Sequence, residues 1–154
     1  MKTRRVLLIP AAVAVLAAAG PAFGHSAHKS ASQAVVSTAH SSLGTILVTG
    51  SGQTLYLDSG DKPGHPACTG GCLTAWPALK TSGAPKASGG AKASDLGTVK
   101  AAGGKQVTYH GHPLYTFASA GKGTSGEGVS GFYVVSPSGN EILKKKPGGS
   151  SPGY

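Results

Sequence analysis

Thr45-Ile46-Leu47-Val48-Thr49-Gly50-Ser51-Gly52-Gln53-Thr54-Leu55-Tyr56-Leu57 reads as two short β-type runs joined by a glycine-flanked reversal. β-branched and aromatic residues fill both arms, and Gly50-Ser51-Gly52 supplies a three-residue turn, so the stretch predicts a hairpin. A second stretch has the same form. Gln106-Val107-Thr108-Tyr109 and Pro113-Leu114-Tyr115-Thr116-Phe117 flank His110-Gly111-His112. Glycine takes positive φ freely and histidine is enriched there among other residues, so His-Gly suits a tight turn. Phe132-Tyr133-Val134-Val135 predicts a further strand, and Ile142-Leu143 closes the sheet after a Ser138-Gly139-Asn140 turn. The stretch from Leu73 to Leu79 holds one short helical turn near Trp76, ended by Pro77. No long helical periodicity lies outside the N-terminus, and the expected class is mainly β.

The chain also repeats itself. Leu43-Gly44-Thr45 opens one run that leads through glycines to Leu55-Tyr56, and Leu96-Gly97-Thr98 opens another that leads to Leu114-Tyr115. Two copies of one hairpin unit sharing a core are the natural reading. The expectation is a small single domain over residues 43–143, with repeat one at 43–80, a flexible Gly/Ser/Ala/Lys linker at 81–94 and repeat two at 95–137. Residues 25–42 and 144–154 are too polar and too poor in apolar groups to order themselves, and are expected to be disordered tails.

The N-terminus bears on compartment. Met1-Lys2-Thr3-Arg4-Arg5 is basic, Val6 to Ala19 is apolar, and Ala22-Phe23-Gly24 is small at the cleavage positions, so residues 1–24 read as a secretory signal peptide. The apolar run is shorter than the roughly 20 residues a bilayer span needs. No cysteine lies near the cleavage position, so a lipid anchor is not expected, and the protein should be secreted or held in the cell envelope outside the cytoplasm. The formal net charge is +9, yet every arginine lies in the signal. Nucleic-acid readers depend on Arg for bidentate contacts, so nucleic acid is not an expected partner. The scattered lysines suit solubility or weak contact with anionic wall polymers.

Three ordered motifs carry a resemblance. They are Cys68-x-x-x-Cys72-x-x-x-Trp76-Pro77-x-Leu79, Gln106-Val107-Thr108-Tyr109-x-Gly111-x-Pro113-Leu114-Tyr115-x-Phe117, and Gly126-x-Gly128-x-x-Gly131-Phe132-Tyr133-x-Val135. Over about Leu43 to Pro137 they resemble the bacterial secreted repeat of unknown function, also described as predicted lipoproteins with a Tyr-x-aromatic-x-x-Asp motif. The resemblance implies an exported, repeat-built, mainly β domain and brings no established reaction. The motif is split here. Tyr56 is followed by Asp58 and Asp61 without the aromatic, and Tyr115 by Phe117 without the acid.

The only two cysteines are Cys68 and Cys72. In an exported chain they are expected to form a disulfide, with Gly70-Gly71 giving the backbone freedom to close it. The alternative is copper or thiol-redox chemistry at Cys68 and Cys72, completed by His65, His110 or His112. Otherwise no cofactor is expected. His110 and His112 are expected as turn residues at a hairpin tip. Asp58 and Asp61 could face each other across a turn, as turn caps, a weak cation site or a carboxylate pair. Trp76, Tyr56, Tyr115 and Phe117 are expected in the core, with ring stacking of a ligand as the other reading. Gly121-x-Gly123-x-x-Gly126 and Gly126-x-Gly128-x-x-Gly131 match a dinucleotide pattern without its strand–turn–helix context and are read as loop glycines. Ser59-x-x-Lys62 and Ser119-x-x-Lys122 lack the motifs that would make them catalytic. The expected function is a non-catalytic module binding an envelope component or small ligand, with the copper or thiol-redox protein as alternative.

Overall fold

The computed structural model describes residues 32–120 and 122–143. The signal, residues 25–31 and the basic tail at 144–154 lie outside the described residues. The chain forms β1 (Val35–Ser41), β2 (Gly44–Thr49), β3 (Tyr56–Asp58), α1 (Cys72–Ala75), β4 (Lys80–Thr81), β5 (Lys86–Ala87), β6 (Leu96–Ala101), β7 (Gly104–Tyr109), β8 (His112–Pro113) and β9 (Phe132–Val134). The mainly β class is as the composition implied.

Both turns at the heart of that reading form. β2 reverses through Gly50 and Ser51 so that Val48 bridges Thr54, and Leu55 N–H donates to Leu47 O at 3.0 Å. β7 reverses through His110 and Gly111 into β8, with φ of 49° and 80° at the two turn residues. Histidine and glycine sit where positive φ is required, as in a two-residue hairpin loop.

Three expectations from composition are corrected. Residues 35–41, read as part of a disordered tail, form β1, which pairs antiparallel with β2 from Val36↔Thr49 to Ser41↔Gly44. Residues 81–94, read as a flexible linker, are held to the sheet. β5 pairs parallel with β1, Ser88 N–H donates to Val36 O at 2.8 Å, and Gly90 N–H to the Thr38 hydroxyl at 2.9 Å. The repeat is real, but its register is not that of the Leu-Gly-Thr triplets. Gly44 opens β2 after a hairpin from β1, and Gly104 opens β7 after a hairpin from β6 (Leu96–Ala101), with the same burial sequence along both strands. Leu96-Gly97-Thr98 therefore starts the first strand of its copy, whereas Leu43-Gly44-Thr45 spans the turn into the second.

Backbone hydrogen bonds reveal how the copies fit. Leu47 N–H donates to Val135 O and Val107 N–H to Leu79 O, both at 2.8 Å. Leu55 N–H donates to Leu47 O, and Leu114 N–H to Val107 O. Val135 N–H reaches Leu55 O, and Leu79 N–H reaches Leu114 O. At the centre, Tyr56 and Tyr115 exchange N–H···O bonds of 2.9 Å in both directions. Each bond has a twin in the other copy, so the copies are related by an approximate two-fold axis between Tyr56 and Tyr115. They also exchange strands: copy one's β3 pairs with copy two's β9, and copy one's β4 pairs with copy two's β7.

The core follows from this exchange. Ile46, Leu47 and Val48 are consecutive and all buried, because β2 has packing on both faces. Leu47 joins one cluster with Leu55, Leu57, Val107, Tyr109, Leu114 and Val135. Ile46 and Val48 join another with Tyr56, Cys68, Trp76, Tyr115, Phe132 and Val134. An uninterrupted apolar run is what a strand buried on both sides demands. On the axis, Trp76 and Phe132 stack with centroids 3.9 Å apart and planes 7° apart. Tyr56 meets Trp76 edge-on at 5.3 Å, and Tyr115 meets Phe132 edge-on at the same distance.

A short helical turn delivers each stacked ring. In copy one, Cys68 and Cys72 are disulfide-bonded with Cα atoms 5.4 Å apart, and α1 runs from Cys72 into Trp76, whose N–H donates to Cys72 O at 2.9 Å. Copy two has no cysteines there; a single 3-10 turn, Val129–Gly131, leads into Phe132, and the buried Glu127 carboxylate accepts from Val134 N–H at 2.7 Å. The disulfide closes a small loop, so chain entropy assigns it roughly 2 kcal/mol. Reduction is expected to lower Tm by about 10 °C in a domain of this size. Calorimetry with and without reductant, repeated on the Cys68→Ser/Cys72→Ser double variant, reads this directly; an unchanged Tm contradicts it.

Candidate functional site

Where β3 ends, the chain makes a tight acidic turn. Asp58 Oδ1 accepts from Gly60 N–H at 2.9 Å, and Asp61 N–H donates to Asp58 O at 3.0 Å. Asp61 Oδ1 then accepts from Ala67 N–H. Each acid thus accepts a backbone N–H through its Oδ1. Asp61 Oδ2 is left over, buried and without a hydrogen-bond partner.

Two further segments face this turn. His112 follows the His110-Gly111 turn of copy two, and Gly139-Asn140-Glu141 follows β9, with Glu141 bridging Val135. Together they enclose a recess of about 310 Å³, with Leu57 on its apolar wall and Asp58, Ser59, Asp61, His112, Asn140 and Glu141 on its polar ones. His112 Nδ1 is buried and, like Asp61 Oδ2, has no partner. Three of the chain's five acids therefore meet at one opening, although the chain carries fourteen Lys and Arg residues.

The two axial tyrosines differ in what holds their hydroxyls. Tyr56 donates to Gly123 O at 3.2 Å and accepts from Gly126 N–H at 3.3 Å. Gly126 must be glycine, since a Cβ would lie 2.8 Å from Trp76 and 3.0 Å from the Tyr56 ring. Tyr115 is fully buried, and its hydroxyl faces the Asp61 carboxylate. Burial, then the negative charge of Asp61, pushes the Tyr115 hydroxyl well above the usual phenol range. Beside it, copy two places the buried Gln106, which donates to Leu114 O at 3.0 Å, where copy one has Ile46. Tyr56→Phe is expected to cost about 1 kcal/mol, because it loses the hydrogen bonds to Gly123 and Gly126. Urea unfolding of the variant measures this, and an unchanged stability would contradict it.

Burial also raises the Asp61 carboxyl above its ordinary value. Its folded pKa then exceeds its unfolded one, so the native state loses stability as pH rises through that window and stays penalised above it. Asp61→Asn keeps an acceptor for Ala67 N–H and removes the buried charge. It should raise Tm at pH 7 and leave it nearly unchanged near pH 3, as thermal melts at the two pH values would read.

The remaining residues singled out from sequence separate. Tyr56, Trp76 and Tyr115 are core, and Phe117, half-buried, stacks on Trp76 at 4.5 Å. His110 pairs its Nε2 with Asp95 at 3.0 Å and lies against Gly139, where a Cβ would come within 2.3 Å of the ring. His65 is exposed in a turn, pairing through its backbone with Lys62. Among the described residues no three His, Cys, Asp or Glu side chains come together as a metal set, so Cys68, Cys72, His65, His110 and His112 are not gathered at one point. Copper or thiol chemistry would require the Cys68–Cys72 bond to open. Of the residues singled out from sequence, Asp58, Asp61 and His112 line the recess, where they are joined by Asn140 and Glu141, which were not singled out as a site.

The comparison with known families falls on copy one. Residues 37–80, from β1 through the start of β4, match the model of a family described as a secreted repeat of unknown function. Copy one is thus similar to a secreted repeat. No curated protein and no solved structure matches the chain. The matched segment contains the acidic turn, the disulfide and Trp76, and copy two rebuilds the repeat's hydrogen-bond pattern with different side chains. No helix among the described residues is long and apolar enough to cross a membrane.

Proposed function

We propose that the protein is an exported, non-catalytic binding module of the cell envelope, and that its ligand enters the recess between Asp58, Asp61 and His112. The leader-like N-terminus and the secreted description of the matched family support export. One observation carries the site. His112 Nδ1 is buried without a partner in the wall of that recess, whereas buried polar groups in native proteins are nearly always paired. Unused hydrogen-bonding capacity at an opening is what a ligand would complete. The disulfide acts as a staple that positions α1 and Trp76. The lysines would hold the module loosely to anionic wall polymers.

Amide-resolved NMR titration tests the site. Four probes cover the chemical classes: an alkylamine, an alkyl carboxylate, a disaccharide and calcium. At least one is expected to shift the amides of Ser59 to Asp61, His112 and Glu141 saturably. If none of the four perturbs these amides, the recess is not a ligand site.

A further inference from the structure

We infer that residues 146–150, which lie outside the described residues, add to the outer edge of β6 as a strand parallel to it. That edge is open. Leu47 and Val107 are equivalent, and each turns its N–H and its carbonyl away from the first strand of its copy, Leu47 to Val135 and Leu55, Val107 to Leu79 and Leu114. Thr38 on β1 and Thr98 on β6, which stand opposite them, therefore turn their own backbone groups outward, as a non-hydrogen-bonded antiparallel pair requires. On β1 the outer edge is covered by β5, whereas on β6 no strand among the described residues covers it. Native proteins rarely leave such an edge unprotected.

Copy one shows what this kind of edge takes. Lys86 and Ala87 pair parallel with Val35 and Val36, Ser88 N–H donates to Val36 O at 2.8 Å, and Gly90 N–H donates to the Thr38 hydroxyl at 2.9 Å. Val36↔Thr49 and Leu96↔Tyr109 are equivalent pairs, so β6 stands 60 residues after β1. The carbonyls of Val35 and Asp95 agree, accepting from Gly50 and His110 N–H at 2.9 and 2.8 Å. Leu96 O and the Thr98 hydroxyl thus repeat the two acceptors that Ser88 and Gly90 use in copy one.

The sequence supplies a matching segment at the same interval. Sixty residues after Lys86-Ala87-Ser88-Gly89-Gly90 the chain reads Lys146-Pro147-Gly148-Gly149-Ser150. Gly89 has φ of 57°, and a Cβ there would lie 3.1 Å from the Ser37 and Thr38 hydroxyls, so this place requires glycine and Gly149 provides it. Proline fits as well. Lys86 and Ser88 donate to Ala34 O and Val36 O, so Ala87 between them turns its N–H away from β1. Pro147 in that place forfeits no ladder bond. The register also sets Lys146 alongside Asp95, where copy one has Lys86 alongside Val35, and opposite charges favour the match. The span is short: in copy one Thr81, two residues past Leu79, already meets β1, its hydroxyl accepting from Ala34 N–H at 3.1 Å. In copy two Glu141 lies beside Val135, the counterpart of Leu79, and the seven residues on to Gly148 extend to about 23 Å.

NMR of the whole mature protein tests this. The Gly148 amide should exchange with solvent about tenfold more slowly than an unprotected one. Nuclear Overhauser contacts should join residues 148–150 to residues 96–98 and persist on dilution. Gly148→Pro removes the donating N–H and should abolish these contacts and shift the Thr98 amide. Gly148→Ser installs the residue that copy one carries there and should keep them. Neither change touches the core. A Gly148 amide exchanging at the unprotected rate, with no contact to β6, overturns the inference. So do contacts from β6 to a second copy of the chain, read in isotope-filtered spectra of a mixed labelled sample, or contacts that vanish on dilution.

Discussion

A chain that stops after Lys92 should be unfolded as a monomer, even though it contains the whole of the family-matched segment and its disulfide. Copy one keeps the β1–β2 hairpin and the β5 contact. It loses the Val135 carbonyl that receives Leu47 N–H, the Val135 N–H that donates to Leu55 O, and both bonds between Tyr56 and Tyr115. It also loses Phe132 from the face of Trp76 and all of β9 from β3. Each orphaned buried backbone group costs about 1–3 kcal/mol, and whole domains are stable by only about 5–15 kcal/mol. A lone copy has one other way to satisfy these groups, which is to make the same exchange with a second copy of itself. Any folded fraction should therefore sediment as a dimer. Circular dichroism and sedimentation of residues 32–92 check this, and a folded monomer would contradict the exchange. The structural unit is thus the pair of repeats, although the recognisable unit is one.

The difference between the recognisable and the structural unit also explains what the sequence could and could not convey. The two turns were legible because they are local: Gly50-Ser51-Gly52 and His110-Gly111 carry their geometry in a few residues. β1 was not. Along Val35–Ser41 only Val36 is fully buried, and the strand owes its order to pairing with β2 and β5 through backbone groups that composition does not register. The same holds for Lys86-Ala87. The repeat register was lost because identity and equivalence diverge. Ile46 and Gln106 occupy the same place with opposite polarity, while the identical Leu-Gly-Thr triplets occupy different ones. As for the recess, its acidic turn could be read from Asp58 and Asp61. The convergence of that turn with His112 and with Glu141 depends on the strand exchange, so no local pattern announces it.

Trp76→Ala should be the most damaging single substitution in the chain. Trp76 is 3% exposed and touches three rings: Phe132 and Phe117 stacked at 3.9 and 4.5 Å, and Tyr56 edge-on at 5.3 Å. Truncating a buried aromatic to alanine costs about 3–5 kcal/mol through lost transfer energy and the cavity left behind. That is a large share of the total stability, so the variant should sit close to its unfolding midpoint at 37 °C. The position also joins the copies, because its principal partner, Phe132, belongs to the other repeat. Phe132→Ala should therefore cost a similar amount. The double variant should cost clearly less than the two single costs added, since both remove the same stack. Trp76→Phe keeps a ring on Phe132 and should recover most of the loss. Chemical denaturation followed by far-UV circular dichroism measures all four variants, because replacing the chain's one tryptophan removes its fluorescence. Additive losses at Trp76 and Phe132 would mean that each ring is anchored within its own repeat and that the axis carries no stability of its own.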